Sequence, residues 1–284
     1  MTRPVRAALA NPPIPTESAA RKRTTLFAFD AATGKPLWTL GDGFGLGNTA
    51  CAVELGGMTY ALTVSKLGML RLIAPRTGKV LWEEFLGTSN GWQPVVADGR
   101  AFVMAAQEPQ PGVFEKEVFL TAYAVSATGA KRVWQSASPF DGNMFWPAMA
   151  HRAGVLYAGQ KGGVYALDAA TGKELACLPG GWLFHVWGDR LVIPGDVAHE
   201  SMGKPCTYTA VTPGLKDWKL AGEPFAFRDV PGYKGVCGYE VLMMHPFVDG
   251  YLFTRAVDVK KGVGVIMCWD LRQPAPGRGP RPTR

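Results

Sequence analysis

Four aromatic residues stand just ahead of short apolar runs: Trp92, Trp146, Trp182 and Tyr239. Beside them lie Gln93, His185, Glu240 and His245, with Asn48 ahead of a further run. Flat rings that stack on a planar group, with amide, imidazole and carboxylate groups to bond its edges, make a ligand-binding set. The same rings also serve as ordinary packing between sheets, where large aromatics carry much of a core. The carboxylates Asp196, Glu200, Asp229 and Glu240 have no spacing that specifies an oxygen cage for a cation, and Asp196, His199 and Glu200 form only a polar cluster. No metal site is expected.

Nor does the chain offer a nucleophile in a known setting. Its five cysteines, Cys51, Cys177, Cys206, Cys237 and Cys268, include no C-x-x-C pair, and the odd number argues against a complete disulfide framework, leaving free thiols buried as small hydrophobes or one incidental disulfide. There is no G-x-S-x-G elbow, no G-x-x-x-x-G-K-[ST] loop and no H-E-x-x-H. Gly41, Gly43, Gly45 and Gly47 alternate with other residues but link two strands, so they open no helix on which a phosphate would sit. No catalytic residue is assigned.

Composition excludes further classes. The 284 residues are 47% hydrophobic and 19% charged, enough for a large core. No apolar run approaches the roughly 18 residues of a membrane span. The net charge of +7 lies at the two ends: Arg3, Arg6, Arg21, Lys22 and Arg23 in 1–24, and Arg272, Arg278, Arg281 and Arg284 in 272–284. Basicity confined there draws no continuous stripe for a nucleic-acid backbone, so nucleic acid is not expected as a partner. The Ala7 to Ala10 run is short and cut off by Pro12 and Pro13, so no export signal is readable. The expected organisation is a flexible basic segment at 1–24, a folded body at 25–271 and a flexible Pro/Arg-rich tail at 272–284.

The elements that must carry these residues come from a repeat. Tight turns ending in Gly34, Gly78, Gly129 and Gly172, with a degenerate copy at Gly214, recur about every 45 residues. Residues 91–137 show one unit: a strand at 94–97, the hairpin turn Asp98-Gly99, a second strand at 100–106, a third at 118–125 and a fourth at 131–135. Further hairpin turns fall at Gly56-Gly57, Ala153-Gly154, Gly188-Asp189 and Asp249-Gly250. Four-stranded antiparallel meanders in series describe an all-β propeller.

The turn motif resembles that of a known family. Ala28-x-Asp30-x-x-Thr33-Gly34-x-x-x-Trp38 is similar to the tryptophan-docking motif of the pyrroloquinoline-quinone-like (PQQ-like) propeller repeats, found in quinoprotein dehydrogenases and in the lipoprotein of bacterial outer-membrane assembly. Asp30 and Thr33 would bond turn amides, Gly34 would supply a left-handed residue, and Trp38 would pack on the next blade. Gly78 with Trp82, Gly129 with Trp134 and Gly214 with Trp218 repeat the pattern without the aspartate. Asp168 with Gly172 keeps the turn, with Ala176 in place of tryptophan. The resemblance covers residues 25–271.

Counting strands gives two of a first blade, four complete blades and three strands of a last one, so about five blades are expected: either the two partial ends share one blade and close a small ring, or, the reading favoured here, the ring is incomplete and its open edge seeks a partner. The tight turns share one face. The other receives the longer segments 107–117, 136–145, 195–205, 221–237 and 258–263, where binding residues concentrate. The expected role is a non-catalytic scaffold binding a protein, peptide or glycan there, without cofactor. The resemblance implies a second reading, a fragment of a PQQ-dependent alcohol or sugar dehydrogenase holding PQQ and Ca2+. Against it, the vicinal cysteine pair of those enzymes is missing. Family members are often exported or periplasmic.

Overall fold

The computed structural model describes residues 25–41, 50–65, 68–88, 93–111, 113–141, 149–160, 163–179, 184–187, 190–194, 207–212, 219–220, 225–226, 232–234, 247–248, 251–270 and 282–283. Among these every regular element is a strand, and the strands form six sheets. The first has two, β1 (Thr25–Phe29) and β2 (Pro36–Gly41). The second is the meander β3 (Cys51–Leu55), β4 (Met58–Val64), β5 (Met69–Ile73) and β6 (Val80–Phe85). The third runs β7 (Val95–Ala97), β8 (Arg100–Ala105), β9 (Glu117–Ser126) and β10 (Gly129–Gln135), with β11 (Phe140–Asp141) on the start of β9.

The fourth sheet is β12 (Met149–Arg152), β13 (Val155–Gln160), β14 (Gly163–Asp168) and β15 (Glu174–Pro179). The fifth is β16 (His185–Trp187), β17 (Arg190–Pro194), β18 (Thr207–Thr212) and β19 (Lys219–Leu220), with β20 (Phe225–Ala226) on β18. In the sixth, β21 (Tyr233–Lys234) and β22 (Phe247–Val248) both pair with β23 (Tyr251–Asp258), followed by β24 (Val263–Asp270) and β25 (Pro282–Thr283). The four strands expected within 91–137 are all present.

Three expectations change. Pro282 and Thr283 pair with Trp269 and Cys268, so part of the segment expected as a flexible tail is an edge strand, the one place in a sheet where proline costs no ladder bond. Phe140 and Asp141 pair with Val118 and Glu117 inside the expected loop 136–145. There the fourth strand resumes after Ser136, whose N–H donates to the Leu120 carbonyl (2.8 Å) and whose hydroxyl accepts from the Leu120 N–H (3.1 Å). Residues 258–263, expected as a long loop, are a four-residue turn. The Asp258 carboxylate accepts the Lys260 and Lys261 N–H groups (3.0 and 3.1 Å), and the Gly262 N–H donates to the Asp258 carbonyl (2.8 Å).

The chain divides into two compact units, Ala7–Leu156 with Leu167–Glu174, and Met1–Arg6 with Tyr157–Ala166 and Leu175–Arg284. In the first, the core lies between the second and third sheets. Leu62, Val64, Leu70, Leu72 and Leu86 meet Ala101, Val103, Ala105, Tyr123 and Val125, all buried. The other face of β8 is buried as well: Phe102 lies between Trp134 (ring centroids 5.8 Å apart) and His151 (6.0 Å, planes 10° apart). Strands covered on both faces read as continuous apolar runs, as RAFVMA does. In the second unit Tyr157 meets Phe184 edge to face at 6.4 Å.

Candidate functional site

The repeat motif builds one end of the first unit. Asp30 Oδ1 accepts the Thr33 N–H and hydroxyl, both at 2.7 Å, and the Gly34 N–H closes the turn on the Asp30 carbonyl at 2.8 Å. Asp168 does the same for Thr171 and Gly172. The Thr33 and Thr171 hydroxyls hold these two carboxyls below the usual aspartate range. Where Ala74 replaces aspartate, the carboxylate bonds are missing and the turn is closed by the Gly78 N–H on the Ala74 carbonyl at 2.9 Å, with the Thr77 hydroxyl accepting the Lys79 N–H at 3.3 Å.

Each tryptophan then docks on the corner of the following sheet. The indole N–H of Trp38 donates to the Pro75 carbonyl (2.7 Å), that of Trp82 to Ser126 (2.9 Å) and that of Trp134 to Ala169 (3.0 Å), where Arg100 donates too (2.9 Å). The glycines make room for it. A Cβ on Gly78 would lie 2.6 Å from Trp38 Cδ2, and one on Gly172 2.7 Å from Trp134 Cδ2, both at left-handed φ of 71° and 75°. Ala28 pairs with Trp38 across the first sheet.

A bulge precedes each of these three indoles. Ala28 faces Trp38 while Phe29 faces Pro36, and the second and third sheets skip one residue in the same way before Trp82 and Trp134. The skipped residues, Leu37, Leu81 and Val133, are turned outward, 50%, 36% and 45% exposed. Gly129 departs from expectation. It pairs with Ser126 within β10, lacks a left-handed φ and has nothing within 4 Å of a Cβ. Ser126 closes that turn instead, its hydroxyl donating to the Gly129 carbonyl (2.9 Å) and accepting the Thr128 N–H (3.3 Å). Gly214 and Trp218 lie outside the described residues.

The opposite end of the second and third sheets carries the candidate site. Backbone bonds run across the sheets there: Leu86 N–H to the Gly68 carbonyl (2.7 Å), Ala106 N–H to Leu86 (2.7 Å) and Glu115 N–H to Gly87 (2.9 Å). They bring the chains so close that a Cβ on Gly87 would meet Ala106 Cβ at 2.6 Å. Segment 107–117 is thereby anchored on the neighbouring sheet, and Phe114 sits edge-on to Phe85 with centroids 5.8 Å apart. Phe114 and Val113 nonetheless stay 44% and 42% exposed. In the same segment Glu108, Glu115, Lys116 and Glu117 are exposed too. Arg132 donates to the Gln107 carbonyl at 2.6 Å. Burial, with the nearby Glu84 charge, pushes the Tyr123 hydroxyl up to about 12.

Of the residues singled out from sequence, Trp92, Trp146, Trp182, Tyr239, Glu240 and His245 lie outside the described residues, as does Asn48. His185 opens β16 opposite Val192. Gln93 is exposed at the entry to β7, its amide 3.6 Å from Cys51 Sγ. The Cys51 thiol donates to the Pro94 carbonyl at 2.7 Å, and burial raises its pKa, so it stays protonated and links two sheets. Cys51, Cys177 and Cys268 are thiols, the first and last half-buried, whereas Cys177 is exposed rather than in the core. Sequence reasoning missed Val113 and Phe114. Their signal is an apolar pair in the middle of a polar, proline-bearing loop.

A family model described as outer membrane protein assembly factor BamB matches residues 22–178. The chain belongs to that family. It is a PQQ-like propeller, and a solved propeller domain agrees on the fold. The β-propeller domain of Cps50 (Swd1) from Myceliophteria thermophila superposes with a TM-score of 0.52 at 13% identity, covering 92% of this chain and 78% of that one. BamB from Moraxella catarrhalis gives 0.48 at 12%, covering 87% and 84%. A europium-containing methanol dehydrogenase gives 0.49 at 12%, covering 87% and 66%. No curated protein matches the chain in sequence. Among the described residues of this PQQ-like propeller, no helix is long and apolar enough to cross a membrane.

Proposed function

We propose that the chain is a non-catalytic propeller scaffold that binds a protein or peptide segment over loop 107–117, with Phe114 and Val113 as the apolar anchor and Glu108, Glu115 and Glu117 as an acidic rim. The observation that carries this reading is the exposure of two large apolar side chains on a loop held at both ends by backbone bonds. An exposed apolar residue on a rigid mount costs little entropy to bind, which is what an interface anchor requires. The rim favours a partner with basic residues beside an apolar one. Membership of a family described as an assembly factor supports a binding role. Under this reading the chain needs no quinone, in keeping with the lack of adjacent cysteines.

A random-peptide library selected on the full chain tests it. The enriched peptides are expected to combine Lys or Arg with an aromatic or aliphatic residue, and to bind the Phe114→Ser variant about tenfold more weakly by calorimetry. Peptides that bind both proteins equally would move the site elsewhere. Saturable binding of PQQ with calcium, accompanied by alcohol-dependent dye reduction, would overturn the non-catalytic reading.

A further inference from the structure

We infer that the end of the first unit built by the repeat corners is a second docking surface, a row of alternating lysine and apolar side chains that takes an extended acidic and apolar segment of a partner protein. In each of the first three sheets the bulge turns one apolar residue outward, Leu37, Leu81 and Val133. A lysine stands two residues before each: Lys35, Lys79 and Lys131. Lys173 holds the same place relative to its glycine as Lys35 and Lys79, just ahead of β15. Glycine, indole and turn bonds account for the corner itself, and neither the lysine nor the outward apolar residue is needed to close it. Single exposed apolar residues are ordinary on a surface. One at the same register position in three successive sheets, each with its lysine, makes a patterned surface.

The docked indoles join these pairs into one row. Gly78 lies against the Trp38 ring, so the Gly78-Lys79 step of the second sheet meets the indole that follows Leu37 in the first. Gly172 lies against the Trp134 ring in the same way, which brings the Gly172-Lys173 step to the indole that follows Val133. Between them, Trp82 bonds the Ser126 carbonyl at the turn that leads into Lys131. The row therefore runs Leu37, Lys79, Leu81, Lys131, Val133, Lys173. All four lysines are exposed, and no described residue forms an ion pair with them. The segments 30–37, 74–81, 126–133 and 168–174 hold six cations against three acids. Two of those acids, Asp30 and Asp168, are bonded within their own turns. Unpaired ammonium groups set the charge of the partner as negative, and the apolar residues between them require apolar groups in alternation with its carboxylates. Leu37, Leu81 and Val133 lie within strands beside a docked indole, not on a protruding tip, which suits a chain laid across the row and not entry into a bilayer. Loop 107–117 lies at the other end of these sheets and favours a basic partner, so the two surfaces are tested apart.

The probe is a fluorescein-labelled peptide of Glu-Ser-Leu-Ser repeated three times, in which glutamate and leucine alternate along one side of an extended chain. Titrated with the full chain and followed by anisotropy, it should bind saturably and more weakly as salt is raised. Lys79→Glu and, separately, Leu37→Ser should each weaken it about tenfold with little fall in Tm, because both side chains are exposed. Phe114→Ser should leave it as it was. Peptides with lysine for glutamate, or serine for leucine, should bind about tenfold more weakly or worse. Absence of binding would overturn the proposal, as would binding that survives both corner substitutions or does not distinguish the three peptides. Sedimentation of the chain with phosphatidylserine-containing vesicles, lost in the Lys79 and Leu37 variants and not competed by the peptide, would overturn it too and assign the row to a membrane.

Discussion

Two glycines at corresponding corners do different amounts of work, and this can be measured. Gly34 and Gly172 share a left-handed φ, 68° and 75°, but only Gly172 has an indole on the Cβ position. Gly34→Ala should cost roughly 1 kcal/mol, the left-handed strain of one residue. Gly172→Ala should cost that and the displacement of Trp134, roughly 3 kcal/mol in all, read as a shift in the urea midpoint. Gly129→Ala, with neither feature, is expected to be near neutral. The carboxyls of Asp30 and Asp168 supply a pH signature at the same corners. Their folded pKa values are lowered, so the stabilisation is present above the unfolded aspartate value and is lost as pH falls through the folded one. Asp168→Asn should therefore destabilise at neutral pH and match the parent once the pH has fallen below the lowered folded value. A deficit that persists unchanged in acid would mean that the amide fails for a reason other than charge.

At the scale of elements, turn chemistry was legible and loop ends were not. Asp98-Gly99 and Ala153-Gly154 are read from sequence as two-residue hairpins, and all four residues have positive φ. Ala153 holds its 47° in spite of a Cβ, so Ala153→Asn should raise stability by about 0.5–1 kcal/mol in thermal unfolding. The Asp30 to Trp38 motif predicted its own hydrogen bonds because they are local. Gly129 misled because a serine hydroxyl can close a turn that glycine closes elsewhere. The bulges before Trp38, Trp82 and Trp134, and the strand at Phe140, depend on what the neighbouring strand offers, which no local pattern encodes. The same holds for the candidate site. The expectation of binding at loop 107–117 followed from its length, but the proposal of Phe114 as its anchor depends on the backbone bonds that pin it beside Phe85.

For the molecule as a whole, a repeat of four-stranded sheets was readable from glycine spacing, and family membership and fold agree with it. Among the described residues the first sheet has two strands and the last has a two-residue fourth strand, where the inner sheets run as four-stranded meanders. Docking in the first unit also has a direction. Trp38, Trp82 and Trp134 each reach forward, by 37, 44 and 35 residues, to a carbonyl made later. During synthesis each of the first three sheets therefore holds an indole whose seat is made later. Loss of chain from the C-terminal side would strand a large aromatic in water and invite aggregation, while loss from the N-terminal side would uncover only a bare polar bend.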